Sequence, residues 1–253
     1  VRVVFEPLSY SRLELNGTAI KPDGEYRIDR SFLSADVTSL IRTGTNEFVM
    51  GFDYFQRDYV YYVLYGGVSE SLRNCLAFDT EIECVYLFGD FAVDTDRSRF
   101  TPGDRLSLRY DGVFALKKQA DEVDAAHITE DGYPFFAGEM ELAAKYYYSP
   151  GEATALKPGG RWAVCEVSVN GEQAATLMFT RSCDLAPYLR EGENTITLKL
   201  YNSNRNLLGP HHRHDPEPYG VGPGTFSFEG EWRDGKCGAY DARYAFVQFG
   251  VEV

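Results

Sequence analysis

The segment DVTSLIRTGTN at 36–46 recurs 148 residues later as DLAPYLREGEN at 184–194, with Asp, Arg, Gly and Asn in register. Each copy follows an apolar-polar-apolar run that ends in Asn-Gly, LELNG at 13–17 and VSVNG at 167–171. Each copy is also followed by an alternating strand pattern, EFVMGF or TITLKL. Agreement in order, spacing and flanking pattern indicates one structural unit used twice, and therefore two related modules.

Each residue of the repeated unit suits a specific local structure. The Asn-Gly pairs are typical of two-residue turns in which both positions have positive φ. Asp36 and Asp184 are predicted N-caps of a one- or two-turn helix. Gly44 and Gly192 are predicted to end that helix in the left-handed C′ position, after which the chain resumes as a strand.

The rest of the chain predicts an all-β fold. Short β-rich runs alternate with turn residues at the spacing typical of a sandwich or barrel, and strands do not alternate with long helices. We therefore expect two tandem jelly-roll (galactose-binding-like) β-sandwiches, 1–125 and 126–253, divided within the charged segment 120–131. The first has only fifteen residues before its Asn-Gly, against about forty for the second. The first sandwich is therefore expected to lack its opening strands, to contain an insertion at 53–118, and to come from a larger protein.

Net charge argues against two classes of partner, and cysteine content bears on the cellular compartment. The formal net charge of −13 and the absence of a basic cluster make nucleic acid and anionic membranes poor partners. No apolar stretch approaches a membrane span, and no motif predicts a cofactor. The five cysteines show no C-x-x-C spacing, and their odd number favours a reducing, cytoplasmic compartment. A Cys75–Cys84 disulfide remains open.

The repeated pattern resembles the sugar-binding β-sandwich domain of glycoside hydrolase family 2. It is also similar to the galactose-binding-like jelly rolls of bacterial rhamnosidase-type enzymes. Three further phrases look like multidomain members of that group: YLFGDFAV at 86–93, GYPFFAGEMEL at 132–142 and RNLLGPHHRHDPEPYGVGP at 205–223. The resemblance implies a β-sandwich that flanks a catalytic barrel. It transfers no catalytic residue, because the barrel motifs match no segment here, and the second copy departs from it with Leu185-Ala186 in place of Val-Thr.

The densest group of functional side chains lies in the Pro- and Gly-rich segment 205–223, which holds three of the four histidines. Three hypotheses compete for it: a loop that binds sugar hydroxyls, a metal site based on His-x-His with nearby carboxylates, and a loop packed against a neighbouring domain. The candidate carbohydrate-binding residues are Arg205, Asn206, His211, His212, His214, Tyr219 and Trp232.

Tyrosine and tryptophan elsewhere favour packing roles. Tyr59, Tyr61, Tyr62 and Tyr65 alternate roughly as strand residues, and tyrosine is common in strands, so core or sheet-surface packing is favoured over sugar stacking. Trp162 is expected to anchor the second core.

The leading hypothesis is a non-catalytic carbohydrate-binding or bracing region of a larger bacterial glycoside hydrolase. Its expected partners are carbohydrate and the catalytic domain of the same protein. Glycosidases need two carboxyl groups at a defined separation, and the sequence marks out no such pair. The alternatives are a metal-dependent jelly-roll enzyme that uses residues 211–217, and a purely structural or interaction module.

Overall fold

The computed structural model describes residues 1–26, 29–82, 84–213, 217–220 and 240–253. These residues form antiparallel sheets with few helices, which confirms the all-β fold class. The chain divides into two compact units, Val1–Asp90 and Phe91–Val253. In the described part of the chain, no helix combines the length and apolar character needed to cross a membrane.

The first unit contains two three-stranded antiparallel sheets, in the strand orders β4-β1-β6 and β3-β2-β5. Its core includes Val3, Phe5, Leu15 and Val37, which are at most 4% exposed. Burying one such side chain contributes roughly 1.5–3 kcal/mol. The elements are β1 (Arg2–Phe5), β2 (Tyr10–Leu15), β3 (Thr18–Ala19), β4 (Leu33–Asp36), β5 (Phe48–Phe52), α1 (Asp58–Tyr65), α2 (Glu70–Asn74) and β6 (Tyr86–Phe88).

The second unit is centred on a four-stranded antiparallel sheet with the order β11-β16-β13-β14, accompanied by the sheets β17-β9-β8, β10-β7 and β12-β15. Its elements are β7 (Phe91–Asp94), β8 (Phe100–Pro102), β9 (Ser107–Tyr110), β10 (Ala115–Lys118), β11 (Gly138–Tyr148), β12 (Ala155–Leu156), β13 (Val164–Val169), β14 (Glu172–Leu177), β15 (Cys183–Asp184), β16 (Gly192–Asn202), α3 (Arg205–Leu208) and β17 (Tyr244–Val247).

Strand β13 shows how the pattern of the second unit forms its core. Cys165, Val167 and Val169 alternate along it and are at most 1% exposed, as expected when one face of a strand is buried. Trp162 is 3% exposed in the same cluster, which confirms it as a core anchor. Its indole N–H donates to the carbonyl of Gly159 at 2.9 Å, so its polar atom is satisfied.

The compact units do not follow the domain bounds expected from the sequence. Strand β9 pairs with β17 near the end of the chain, with Tyr110 opposite Tyr244 and Leu108 opposite Phe246. Residues 91–118 therefore belong to the second unit, although the sequence pattern places them in an insertion of the first module. Long-range strand pairing leaves no local signal, and the assignment of domains 1–125 and 126–253 stays a prediction.

Both Asn-Gly turns have the backbone that the sequence predicts. Asn16 and Gly17 have φ values of 53° and 79°, and Asn170 and Gly171 have values of 53° and 83°. Each pair connects two antiparallel strands, β2 to β3 and β13 to β14. Two successive positive φ angles match the twist of a tight hairpin, which explains the residue types.

The asparagine of each turn also bonds to a second asparagine further along the chain. Asn16 Nδ2 donates to Asn46 Oδ1 at 2.9 Å, and Asn170 Nδ2 donates to Asn194 Oδ1 at 2.8 Å. The second asparagine in turn donates to a nearby carbonyl, Asn46 to Gly44 at 3.0 Å and Asn194 to Gly192 at 2.9 Å. The same hydrogen bonds therefore occur in the two units.

Asp36 and Asp184 lie at hydrogen-bonded turns and not at helices. Asp36 Oδ1 accepts the Thr38 N–H at 2.9 Å, and Asp184 Oδ1 accepts the Ala186 N–H at 3.0 Å. The segment after each Asp is a single turn, in which the Ile41 N–H donates to the Val37 carbonyl at 3.2 Å and the Leu189 N–H to the Leu185 carbonyl at 3.1 Å. Of the expected one- or two-turn helix, this one turn forms and does not continue into a regular helix. A side chain that bonds to the backbone two residues on is typical of an Asx-turn.

Gly44 and Gly192 have φ values of 87° and 93°. A residue with a Cβ atom is strained in this left-handed region, whereas glycine adopts it at no steric cost. Gly44 lies between its turn and strand β5, and Gly192 is the first residue of strand β16.

Residues 58–65 form helix α1, whereas the sequence pattern of their tyrosines predicts a strand. Its buried residues are Val60 and Val63, which are spaced by three as on one helix face. The prediction that the surrounding tyrosines are packed strand residues is therefore wrong. These side chains are 43–58% exposed: Tyr59, Tyr61, Tyr62 and Tyr65.

Cys75 and Cys84 are both free and exposed, so no disulfide joins them. Cys165 is also free, and burial raises the pKa of its thiol to about 11. A thiol with so high a pKa is a poor nucleophile, and this side chain acts as a small core residue.

Candidate functional site

The segment 205–220 begins with the single helical turn α3, which follows the long strand β16. Gly209, with a φ of 85°, ends this turn. The first described candidate residues therefore lie on α3, directly after the end of strand β16. His214 and Trp232, which the sequence analysis singles out, lie outside the described residues.

Asn206 holds the segment to strand β17. Its Nδ2 donates to the Val247 carbonyl and its Oδ1 accepts the Val247 N–H, both at 2.8 Å. The side chain is 1% exposed. Because both ends of the amide are used on one backbone residue, Asn206 has a structural role here.

Arg205 forms a two-pronged ion pair with Glu217. Nε contacts Oε1 and Nη2 contacts Oε2, each at 3.0 Å, and the two side chains are only 13% and 12% exposed. Planar forks of this kind are among the stronger charge-assisted hydrogen bonds. The pair joins Arg205 on α3 to Glu217, with the guanidinium directed at the carboxylate.

His211 lies in an aromatic cluster. Its ring packs against Phe135, Tyr244 and Phe246 with centroids 5.4–6.1 Å apart. Nε2 lies 2.8 Å from the Asn206 carbonyl, and since a carbonyl only accepts, Nε2 carries the proton. Burial lowers the pKa of His211 and favours the neutral imidazole.

His212 packs against two tyrosines, one of which it shares with His211. Its ring stacks on Tyr240 at 5.5 Å and contacts Tyr244 at 4.5 Å. Nδ1 lies 3.1 Å from the Asp241 carbonyl, which leaves Nε2 as the nitrogen not engaged by that contact. The structure thus brings His211 and His212 together around Tyr244, each bonded to backbone.

Tyr219 is the most exposed of the described candidates, at 91%. The Arg105 guanidinium lies 3.6 Å from the centre of its ring, and Arg105 also donates to the Glu217 carbonyl. Arg105 and Leu106 have φ values of 56° and 60°, a conformation that costs energy for residues with a side chain. Sequence reasoning missed Arg105, which lies more than a hundred residues away in β-rich sequence without a motif.

The metal hypothesis concerns the same segment. Within the described ranges, no group of three or more His, Cys, Asp or Glu side chains is arranged to hold a metal ion. The His212-x-His214 pair extends beyond those ranges, so the metal hypothesis stays a prediction.

A cleft of about 320 Å³ in the second unit was not foreseen from the sequence. Two carboxylates line it, but each is held by a neighbour: Asp94 pairs with Lys117 at 3.2 Å, and Asp96 Oδ1 accepts from the Ser98 hydroxyl at 2.6 Å. Its lining residues are Asp94, Thr95, Asp96, Arg99, Tyr110, Val113 and Ala115. The cleft is therefore an open recess of mixed polar and apolar lining, and one oxygen of each of its two carboxylates is engaged by a neighbouring side chain.

Glu130 lies beside this cleft in the chain that leads to β11. Its side chain is 8% exposed, and its Oε2 has no hydrogen-bond partner among the described residues. The Thr95 hydroxyl donates to the Glu130 carbonyl at 3.2 Å. Burial raises the pKa of the Glu130 carboxyl, although His127 and Arg97 lie close enough to oppose this.

No family model matches this chain, and no curated protein matches it. Two solved structures are similar to parts of it. A β-D-glucuronidase from Dictyoglomus thermophilum is 16% identical over 45% of this chain and 18% of its own, with a TM-score of 0.25. A rhamnosidase from Novosphingobium sp. PP1Y is 19% identical over 80% of this chain and 17% of its own, with a TM-score of 0.28. The matches thus span less than a fifth of either enzyme, and no residue role is transferred from them.

Proposed function

We propose that this chain is a non-catalytic β-sandwich region of a larger glycoside hydrolase, which braces the catalytic domain and contacts carbohydrate. The observation that carries the proposal is the hydrogen-bond set shared by the two Asn-Gly units. The Asn16–Asn46 and Asn170–Asn194 bonds and the two Asx-turns occupy the motif that resembles the sugar-binding domain. Shared bonds at motif positions support a tandem pair of such modules.

The internal bonding of segment 205–217 supports the bracing role. Arg205, Asn206 and His211 use their polar atoms on Glu217, Val247 and Asn206. These three side chains are satisfied within the unit, so the positions that they hold need no ligand, which suits a surface that packs against a neighbouring domain.

The two carboxylates that line the described cleft support a non-catalytic role. Hydrolysis of a glycoside needs one carboxylic acid and one carboxylate across an open site. Asp94 and Asp96 line one cleft, but their oxygens bond to Lys117 and Ser98. We assign catalysis to another domain of the proposed parent protein.

The test uses the purified chain. Neutral oligosaccharides are titrated calorimetrically, and hydrolysis of p-nitrophenyl glycosides is measured in parallel. We expect binding without turnover. Turnover that copurifies with the chain would overturn the non-catalytic assignment, and a folded chain that binds no sugar would leave only the bracing role.

Metal analysis of the same preparation tests the competing enzyme hypothesis. Stoichiometric transition metal that is lost in both His212→Ala and His214→Ala would favour a metal-dependent jelly-roll enzyme over our proposal.

A further inference from the structure

The first unit exposes a group of aromatic side chains that the proposed function does not yet use. Helical residues three and four apart share a face, so Tyr61, Tyr62 and Tyr65 lie together on α1. Tyr54, just before the helix, hydrogen-bonds to Tyr61 and raises the pKa of that phenol. These four side chains, here termed the tyrosine face, are 43–62% exposed.

Hydrogen bonds hold the chain beneath the tyrosine face. The Phe55 N–H donates to the Thr80 hydroxyl at 3.1 Å, and that hydroxyl donates to the Phe55 carbonyl at 2.8 Å. The Gln56 amide accepts from the Asp79 N–H at 2.8 Å and donates to the Thr80 carbonyl. The Arg57 N–H donates to Asp79 at 2.9 Å. These bonds fix residues 55–57, the chain that leads into α1, which reduces the entropy lost when a ligand binds there.

Gly66 is fitted to the ring of Tyr62. A Cβ at this position would lie 2.4 Å from the Tyr62 carbonyl oxygen and 2.9–3.0 Å from two ring carbons. The φ of Gly66 is −82°, which any residue adopts. The glycine is therefore required by the position of Tyr62 and not by its own backbone conformation.

The chemistry of the tyrosine face suits a neutral polyol. Val60 and Val63 are buried, so the outward side presents mainly phenol rings and hydroxyls, with Leu64 as a partly exposed aliphatic neighbour. Asp58 shares this face, and Arg57 next to it is paired with Asp79 at 2.7 Å. In a chain of net charge −13, this surface disfavours anionic glycans and nucleic acid.

We propose that the tyrosine face is a binding surface for neutral oligosaccharides. The apolar face of a pyranose packs on a phenol ring, while the phenol hydroxyls and the Asp58 carboxylate bond to sugar hydroxyls. The inference rests on the proposed function and deepens it, because it moves the sugar contact from segment 205–223 to helix α1.

The test titrates neutral hexasaccharides of β-linked glucose, α-linked glucose and β-linked galactose into the full chain by calorimetry. We expect the double variant Tyr61→Ala/Tyr65→Ala to weaken binding at least about tenfold. Gly66→Ala displaces the Tyr62 ring and should weaken binding about threefold. Tyr147→Ala is the matched control, because Tyr147 is 72% exposed on β11 and should leave affinity unchanged. Circular dichroism verifies the fold of each variant.

The outcomes separate the two proposals. Equal binding by wild type and the double variant overturns the tyrosine face but leaves carbohydrate binding by the chain intact. No binding by folded wild type overturns both this inference and the carbohydrate contact. If the double variant instead abolishes self-association in sedimentation velocity and no sugar binds, the face is a contact between copies, and the inference is wrong.

Discussion

Segment 205–217 and the tyrosine face of α1 have opposite relations between residue type and environment. The segment contains three His, two Arg and one Asn, yet the Arg205 side chain is only 13% exposed, Asn206 is 1% exposed, and both bond within their unit. The tyrosine face is rich in large aromatic rings, yet Tyr54 and Tyr62 are 62% and 58% exposed. In segment 205–217, Arg205 and Asn206 stabilise the fold. On the tyrosine face, aromatic rings remain exposed to solvent.

The comparison shows that residue type alone is a poor guide to a binding surface. A buried polar side chain must find a partner inside the protein, and once it has one it offers less to a ligand. An exposed ring that is rigidly supported loses unfavourable contact with water when a ligand covers it. Exposure to solvent distinguishes the two regions.

The largest expected effect comes from Arg205→Ala, which removes one half of the buried ion pair with Glu217. An uncompensated carboxylate at 12% exposure should lower the unfolding free energy by about 3 kcal/mol, measured by chemical denaturation. Lys145→Ala is the control, because its pair with Glu193 is 68% and 65% exposed and should contribute almost nothing. Equal effects of the two variants would contradict the structural role of the segment.

Glu130→Gln tests a buried carboxyl whose Oε2 has no hydrogen-bond partner within the described part of the chain. The native pKa is raised by burial, so the native carboxyl keeps its proton to a higher pH than the unfolded one does. Its contribution is therefore complete below the ordinary Glu pKa of about 4.3 and falls as pH rises through the raised value. We expect the variant to be more stable than wild type by about 1 kcal/mol at pH 8 and to lose this advantage at pH 4. Thermal melts across this range check it, and a stability difference independent of pH would refute the assignment.

Asp184→Ala and Asp36→Ala compare the same Asx-turn in the two units. Each variant loses one acceptor for a backbone N–H, at Ala186 or Thr38, and should lower Tm by about 3 °C. Sugar affinity should stay the same, because the carboxylates serve the turn. A variant that melts like wild type would show that the turn forms without its carboxylate.

Tyr61→Ala should have the smallest effect on stability. The side chain is 43% exposed and its removal leaves Val60 and Val63 packed, so the change in Tm should stay under about 2 °C. A Tm loss comparable to that of Arg205→Ala would show that the ring belongs to the core, and would remove the contrast between the two regions.

Much of the local structure was accessible from the sequence, as was the segment 205–223, but the surroundings of its side chains and the tyrosine face were not. The Asn-Gly turns and the core position of Trp162 follow from short-range patterns, and the structure has them. Val60 and Val63, spaced by three, were the available signal for helix α1. The tyrosines around them favoured a strand prediction instead, because strand propensity describes a residue's average preference and not its actual surroundings.

The sequence by itself determined the all-β class and the residues at which the chain turns, since positive φ and period-two burial are local properties of backbone and side chain. Only the tertiary structure decided that Arg205 faces Glu217, that Arg105 lies under Tyr219, and that β9 pairs with β17. These contacts join residues distant along the chain. Their energy depends on burial and mutual geometry, which exist only after the strands have packed.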